Sequence, residues 1–470
     1  MKKLIFLLLL IPSLAFGAGP YYVRTDGHDT NCNGSVNVAD SVSVRPNCAF
    51  LTIGKSESVA AAGDTININA GTYNEILTIN VSGTSDNRIT FLGVGTVVIK
   101  QVFLTGADYI TLNNLTIGSA STVTYSHLHV DRNSDYVIIT GCTINGGSAQ
   151  YVEGLSLFGN YGYVTNTTVT GIKGTYCISV GEGSATSPGS TDITVTNSLI
   201  TDNIETDAFR VHGTNHTISY NEVRNNKIVT NDNHSDFVQW FPNDNNCANS
   251  YDVKNILIEG NYVHDIEAQL FFGNNVCYTY GVVVSNITFR NNIFYNVGMT
   301  GSTYGNNNTI TNLNFYNNVF HKVGYMYYIY GSVRTYSSHA LQYASGTVGE
   351  VKNNVFLECG DEPSVNYKGW YAGAGTITKD YNYVAGPSYA AKSGFSETYG
   401  INGVVDPKFI NEAGHDYRLQ SSSPLKDVGA TIASFSVDKN GISRPQGPAW
   451  DIGAFEFGNE PASPRNLRIE

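Results

Sequence analysis

An octet that returns ten times leaves this chain few ways to fold. "ITLNNLTI" (110–117), "VIITGCTI" (137–144), "GYVTNTTV" (162–169), "ITVTNSLI" (193–200) and "HTISYNEV" (216–223) align without gaps. So do "ILIEGNYV" (256–263), "ITFRNNIF" (287–294), "LNFYNNVF" (313–320), "GEVKNNVF" (349–356) and "ITKDYNYV" (377–384). The eighth residue is apolar in all ten copies and the third in nine, Lys379 being the exception. Positions one and three share a face, as a strand requires, whereas position eight lies five beyond position three. Inward parity therefore flips between them, so each octet reads as a strand, a sharp bend and a second strand. The sixth residue is Asn in the last six copies: Asn221, Asn261, Asn292, Asn318, Asn354 and Asn382. Asn tolerates the left-handed conformation expected at a bend, and stacked Asn side chains can bond the neighbouring backbone.

The octets begin 23 to 40 residues apart. Fixed core strands joined by loops of variable length describe a solenoid. Neither a leucine-rich consensus nor four strands per repeat is present, which sets aside a horseshoe or a propeller. The pattern resembles the right-handed parallel β-helix of the pectate-lyase-like superfamily. That resemblance implies an all-β chain of ten or more coils, at roughly 4.8 Å per coil on the order of 45 Å long. The opening "PYYVRTDG…GDTININAGTYNE" resembles the start of bacterial β-helix proteins, with "TIGKSESVAAA" as a short capping helix. A cap is required because an open coil end would expose core and strand edges. At the other end, "DPKFINEAGHDYRLQSSSPLKDVGA" and "DIGAFEF" resemble the terminal module called choice-of-anchor Q.

The expected organisation is a signal peptide at 1–18, a cap with the first coil at 19–76 and the β-helix at 77–399. A terminal module packing on or capping the helix follows at 400–458, with a disordered tail at 459–470. Residues 1–18 place Lys2 and Lys3 before an apolar run that ends in small residues, the layout of a secretory leader and too short for a membrane span. A bacterial protein that is secreted or on the cell surface is the expectation. Without Lys2 and Lys3 the formal charge of −12 becomes −14, which argues against nucleic acid as a partner. It also means that a polyanionic substrate would need local basic residues or a bridging cation. Of seven cysteines, Cys32 and Cys48 bracket one insertion and form the first expected disulfide; Cys247 and Cys277 form the second. Cys142, Cys177 and Cys359 read as buried thiols.

Chemistry belongs on the strand that precedes each octet. Alternation there places Leu128, Val130, Leu155, Leu157, Ile178, Val180, Phe209 and Val211 inward, and Val238 and Trp240 with them in one of two registers, the other exchanging them with Gln239. His127, His129, Ser156, Ser179, Arg210, His212 and Gln239 point outward, followed by Phe271, Tyr304 and the run that contains Tyr328. Tyrosine and phenylalanine rings stack on sugars, so Gln239, His127, His129, Phe271, Tyr304 and Tyr328 are candidates for substrate binding in a glycan groove. Exposed tyrosines are also ordinary on a β surface.

Asp207 and Asp236 occupy matching places in adjacent coils, roughly 5 Å apart. Such a pair is compatible with a shared proton, a hard cation such as Ca²⁺, an acid and nucleophile, or plain turn chemistry. Arg210 and His212 are the sharper catalytic candidates beside Asp207 and Asp236, since removing a proton next to a uronate carboxylate needs a cation, a base and an acid. "AFRVHG" resembles the Leu-Arg-His-Gly element of alginate-lyase and chondroitinase-B-like β-helix lyases, which implies the catalytic arginine role for Arg210. The element departs from theirs in having Val211 between Arg and His, and "CISVGEG" offers Gly181 and Glu182 where those lyases carry a lysine. The Asp-Asp and Gly-His-Gly elements of β-helix polygalacturonases are absent, as are zinc, nucleotide and Gly-x-Ser-x-Gly patterns. No cofactor is called for beyond Ca²⁺ at Asp207 and Asp236. The reading is an exported protein that binds a polysaccharide or cell-surface glycan and degrades it as lyase or hydrolase. The alternative is a non-catalytic adhesive rod, and fold alone does not choose between them.

Overall fold

The computed structural model describes residues 19–118, 123, 125–181, 189–228, 235–240, 251–275, 277–303, 309–324, 327–330, 333–336, 339–360 and 371–458. Three parallel ladders run the length of the molecule, and each coil contributes one strand to each. The first two ladders are the halves of the octet, as in Tyr163–Thr165 and Thr168–Thr170. The third is the strand before the octet, as in Tyr176–Val180 on Asp207–Val211. Such a coil closes on itself and stacks on the next, which is a parallel β-helix.

The octet's inward positions account for the core. Leu112, Ile139, Val164, Val195, Ile218, Ile258, Phe289, Phe315 and Val351 at position three are fully buried, as are Ile117, Ile144, Val169, Ile200, Val223, Val263, Phe294, Phe320, Phe356 and Val384 at position eight. The left-handed residue at the bend is the fifth, not the sixth as expected: all ten fifth residues, from Asn114 to Tyr381, have φ between 49° and 66°. A single left-handed residue reverses which face the next side chain takes. Asn and Gly, which adopt it at low cost, hold eight of the ten places.

The sixth-position asparagines point inward from the bend as a ladder. Each Oδ1 accepts the backbone N–H and the side-chain amide of the preceding Asn, at 2.9–3.2 Å, from Asn221 through Asn261, Asn292, Asn318 and Asn354 to Asn382. Each amide also donates to a backbone carbonyl one coil back, as Asn318 does to Phe289 at 3.0 Å. Glu397 ends the column, its two oxygens accepting from Asn382 N and Nδ2 at 2.9 Å each. Burial raises its carboxyl pKa above the usual range.

Both ends are covered. Helix Ile53–Glu57, shorter than the stretch expected, has Thr52 as its N-cap, and Glu75 accepts from Ile53 N and Gly54 N. Val23, Phe50 and Ile53 join the core there, and the Cys32–Cys48 disulfide closes the adjoining loop. Cys142, Cys177 and Cys359 are buried thiols, and burial pushes Cys142 up to about 11. Cys277 is buried, while Cys247 lies outside the described residues. At the far end Phe395 packs against the last coil.

The chain then turns back along the outside of the coils. Phe409, Tyr417, Leu419, Leu425, Ile452 and Phe455 share a second core with Ile293, Val319, Val355 and Tyr383, the seventh residues of four successive octets. Fifth-position asparagines fasten it: Asn291 donates to Val437 O, Asn317 to Asp451 O, and Asn353 to Ala430 O at 2.7–3.0 Å. Arg444 and Glu456, both buried, pair at 2.8 Å within this segment. No helix among the described residues is long and apolar enough to cross a membrane.

Candidate functional site

Five pentads of the third ladder lie in register: Ser126–Val130, Glu153–Leu157, Tyr176–Val180, Asp207–Val211 and Asp236–Trp240. Gln269 to Gly273 continue them. In every pentad the second and third residues are both buried, as in Cys177 and Ile178, Ala208 and Phe209, Phe237 and Val238. Two consecutive inward residues break strict alternation, so the first and fourth both face outward and meet. Ser126 Oγ lies 3.4 Å from His129 Nδ1, Ser156 Oγ donates to Glu153 Oε2 at 2.6 Å, and Gln239 Nε2 donates to Asp236 Oδ2 at 2.9 Å. Asp207 and Arg210 hold the same two places in the coil between.

Two outward columns result. The first runs Ser126, Glu153, Tyr176, Asp207, Asp236, Gln269; the second runs His129, Ser156, Ser179, Arg210, Gln239, Phe272. Glu153 and Tyr176 escaped the sequence reading. Aligning the pentads on their apolar last residue would have exposed both.

Tyr176 sits at the centre of the charged part. The Arg210 guanidinium carbon is 5.2 Å from its ring centre. Burial raises the Tyr176 phenol, Arg210 beside it pulls it down, and Asp207 and Glu153 push it up. One cation, one phenol and two carboxylates therefore share a patch. Asp236 adjoins them: its backbone N–H donates to Asp207 Oδ1 at 3.0 Å. Asp207 is 4% exposed and Asp236 0%, so both carboxylates are held in place by N–H donors in a partly dry setting.

The remaining expected residues divide. His129 and Gln239 face outward beside these groups, and burial lowers the His129 pKa. His212 lies two residues beyond Arg210, its ring edge-on to Tyr251 at 6.4 Å, and its carbonyl accepts from His216 Nε2. His127 is corrected: it is the second residue of its pentad, fully buried, with neither ring nitrogen hydrogen-bonded and its pKa lowered to about 4 by burial. Phe271 is corrected for the same reason. It is fully buried, stacked on Trp240 at 5.3 Å, and Phe272 takes the outward place. Tyr304 lies outside the described residues, as does the side chain of Tyr328 on strand Tyr327–Tyr330.

A Ca²⁺ ion needs six to eight oxygens. Among the described residues no third carboxylate, His or Cys joins Asp207 and Asp236 within ligating reach. One oxygen of each aspartate already takes an N–H. The two carboxylates alone do not supply the oxygens of a calcium site.

No family model matches the sequence, and no curated protein matches it. Solved structures do. The pectate lyase Pel9A superposes with a TM-score of 0.50 at 15% identity, over 93% of this chain and 97% of its own. The fold is a pectate-lyase-like right-handed parallel β-helix. XylC in complex with xylose matches as closely, with a TM-score of 0.50 at 11% identity over 94% of this chain and 99% of that one. At such identities the likeness concerns the β-helix, and the site rests on its own residues.

Proposed function

We propose that the chain binds a polysaccharide along the two outward columns of the third ladder and cleaves it there, as a lyase or a glycoside hydrolase. One observation carries this reading: Glu153, Tyr176, Asp207, Arg210 and Asp236 gather on an outer face where the core requires none of them. Carboxylates can serve as acid and base, Arg210 can stabilise developing negative charge, and Gln239 can orient Asp236. A β-helix presents such groups in a straight line, which suits an extended polymer. The pectate lyase likeness over nearly the whole chain agrees with this, as does the xylose-bound structure. Export is part of the proposal, supported by the composition of residues 1–18 and by a disulfide. The terminal segment would then be the anchor-like module its sequence resembles.

The full burial of Asp236 also suits an adhesive rod in which these polar columns only stiffen the stack. Incubation with neutral and uronic polysaccharides separates the two. New unsaturated-uronate absorbance marks a lyase, and new reducing ends without it mark a hydrolase. Arg210→Ala and Asp236→Asn are expected to lower turnover at least a hundredfold. Products formed at the wild-type rate by both variants would remove the site, and binding without product would leave the rod.

A further inference from the structure

The charge on the two columns selects among glycans. Among the described residues of the two outward columns the carboxylic acids are Glu153, Asp207 and Asp236, and the bases are Arg210 and His129. His129 is held toward its neutral form by burial. Arg210 is thus the one fixed cation, and it lies over the Tyr176 ring with Asp207 beside it. Three further cations of these coils have partners of their own: Arg224 pairs with Glu222 at 3.0 Å, Lys254 with Asp252 at 2.6 Å, and Lys173 donates to Gly147 O. Segments 182–188, 229–234 and 241–250 add Glu182, Asp232 and Asp244 to the sequence and neither Lys nor Arg. The surrounding chain is acidic as well, with a formal charge of −12. A polyuronate laid along this face would bring a negative charge for every sugar against a field of the same sign.

We infer that the site takes a neutral glycan and hydrolyses it. This rests on the polysaccharide reading above and narrows it. A neutral sugar has no carboxylate next to a removable proton, so β-elimination is closed to it and hydrolysis remains. In that reaction one carboxylic acid of the site protonates the glycosidic oxygen as the C1–O bond breaks with its electron pair on that oxygen. A second, ionised carboxylate takes a proton from water, whose oxygen forms the new bond to C1, so one water is consumed per bond cut. Tyr176 in the first column and Phe272 in the second are aromatic, the residue type that packs against an uncharged sugar face.

The experiment compares binding of the full chain to neutral and uronate oligosaccharides of equal length by calorimetry, at low and high salt, with EDTA and with added Ca²⁺. The neutral ligand is expected to bind at least tenfold tighter at low salt. The gap should shrink as salt screens the acidic face, while neutral binding stays flat. In the variant Glu153→Gln/Asp207→Asn/Asp236→Asn the ratio should shift toward the uronate by more than tenfold. The salt series on the wild type carries the same test should that variant not fold. A uronate ligand preferred in EDTA, or preferred once Ca²⁺ is added, overturns the inference and leaves the polysaccharide reading standing. Failure of every glycan to bind overturns both.

Discussion

Replacing Asn318 by Ala tests whether the buried asparagine column holds the stack together. The Asn318 Oδ1 accepts from Asn292 N at 3.0 Å and from Asn292 Nδ2 at 2.9 Å, and its amide donates to Phe289 O and Asn354 Oδ1. All these groups are out of reach of water. Alanine removes the four bonds, strands the Asn292 backbone N–H and leaves Asn292 Nδ2 with only its bond to Ile258 O. A buried donor without an acceptor costs about 1–3 kcal/mol, so the variant should lose roughly 3–5 kcal/mol. The control is Asn286→Gly in the parallel but exposed column in which Asn312 bonds Asn286 and Asn286 bonds Asn255. Water replaces those bonds, and Gly keeps the left-handed φ of 56° at that position, so the loss there should stay below about 1 kcal/mol. Urea unfolding followed by circular dichroism, with hydrogen exchange at the flanking amides, measures both. The double variant Asn292→Ala/Asn318→Ala should cost less than the two singles together, because the bond from Asn292 Nδ2 to Asn318 Oδ1 is lost in each single but only once in the double. Equal, small losses for Asn318→Ala and Asn286→Gly would refute the argument.

Acid should weaken the fold through its buried histidines. His127 and His216 have folded pKa values lowered to about 4 and His321 to about 3, all by burial, against 6.5 when unfolded. Between those values the unfolded chain holds the extra proton, so the stabilisation is complete above pH 6.5 and is lost as the pH falls toward 4. His127→Leu, which also removes two unbonded ring nitrogens, should be at least as stable at pH 7 and show a shallower fall in Tm from pH 7 to 4; an unchanged slope refutes this. Cys32→Ala/Cys48→Ala opens a 16-residue separation and should cost about 3 kcal/mol. Because a solenoid is stabilised between neighbours, the loss should appear as proteolysis near the cap with later coils unchanged. Early cleavage within the later coils would count against that locality.

The sequence displayed the stacking more readily than the site. Positions three and eight of the octet are read directly, because a coil must bury them whatever its loops do. The bend was legible in kind but one residue off: Asn is common at both the fifth and sixth positions, and only the backbone separates the left-handed residue from the ladder residue. His127 and Phe271 were misplaced by assuming period-two alternation through a strand that carries two inward residues in succession. That irregularity brings Glu153 to Ser156 and Asp236 to Gln239, so it also creates the site. A legible signal was overlooked at position seven. Thr116, Thr143 and Thr168 stand there in early octets, and Ile293, Val319 and Val355 in late ones. An outward position that turns apolar halfway along a rod marks where another segment will lie.

That segment changes how the rod can come apart. Neighbouring coils touch residues some 30 positions apart, but Asn291 reaches 146 residues ahead to Val437, Asn317 reaches 134 to Asp451, and Lys439 reaches 179 back to Gly260. Contacts that distant form only after the coils they join have stacked. A segment made after those coils therefore closes over work already finished. Left alone, the end of a solenoid would shed its coils one by one. With residues 403–458 lashed across them, the late coils must detach together or not at all, and the weakest end of the stack becomes its most cooperative stretch.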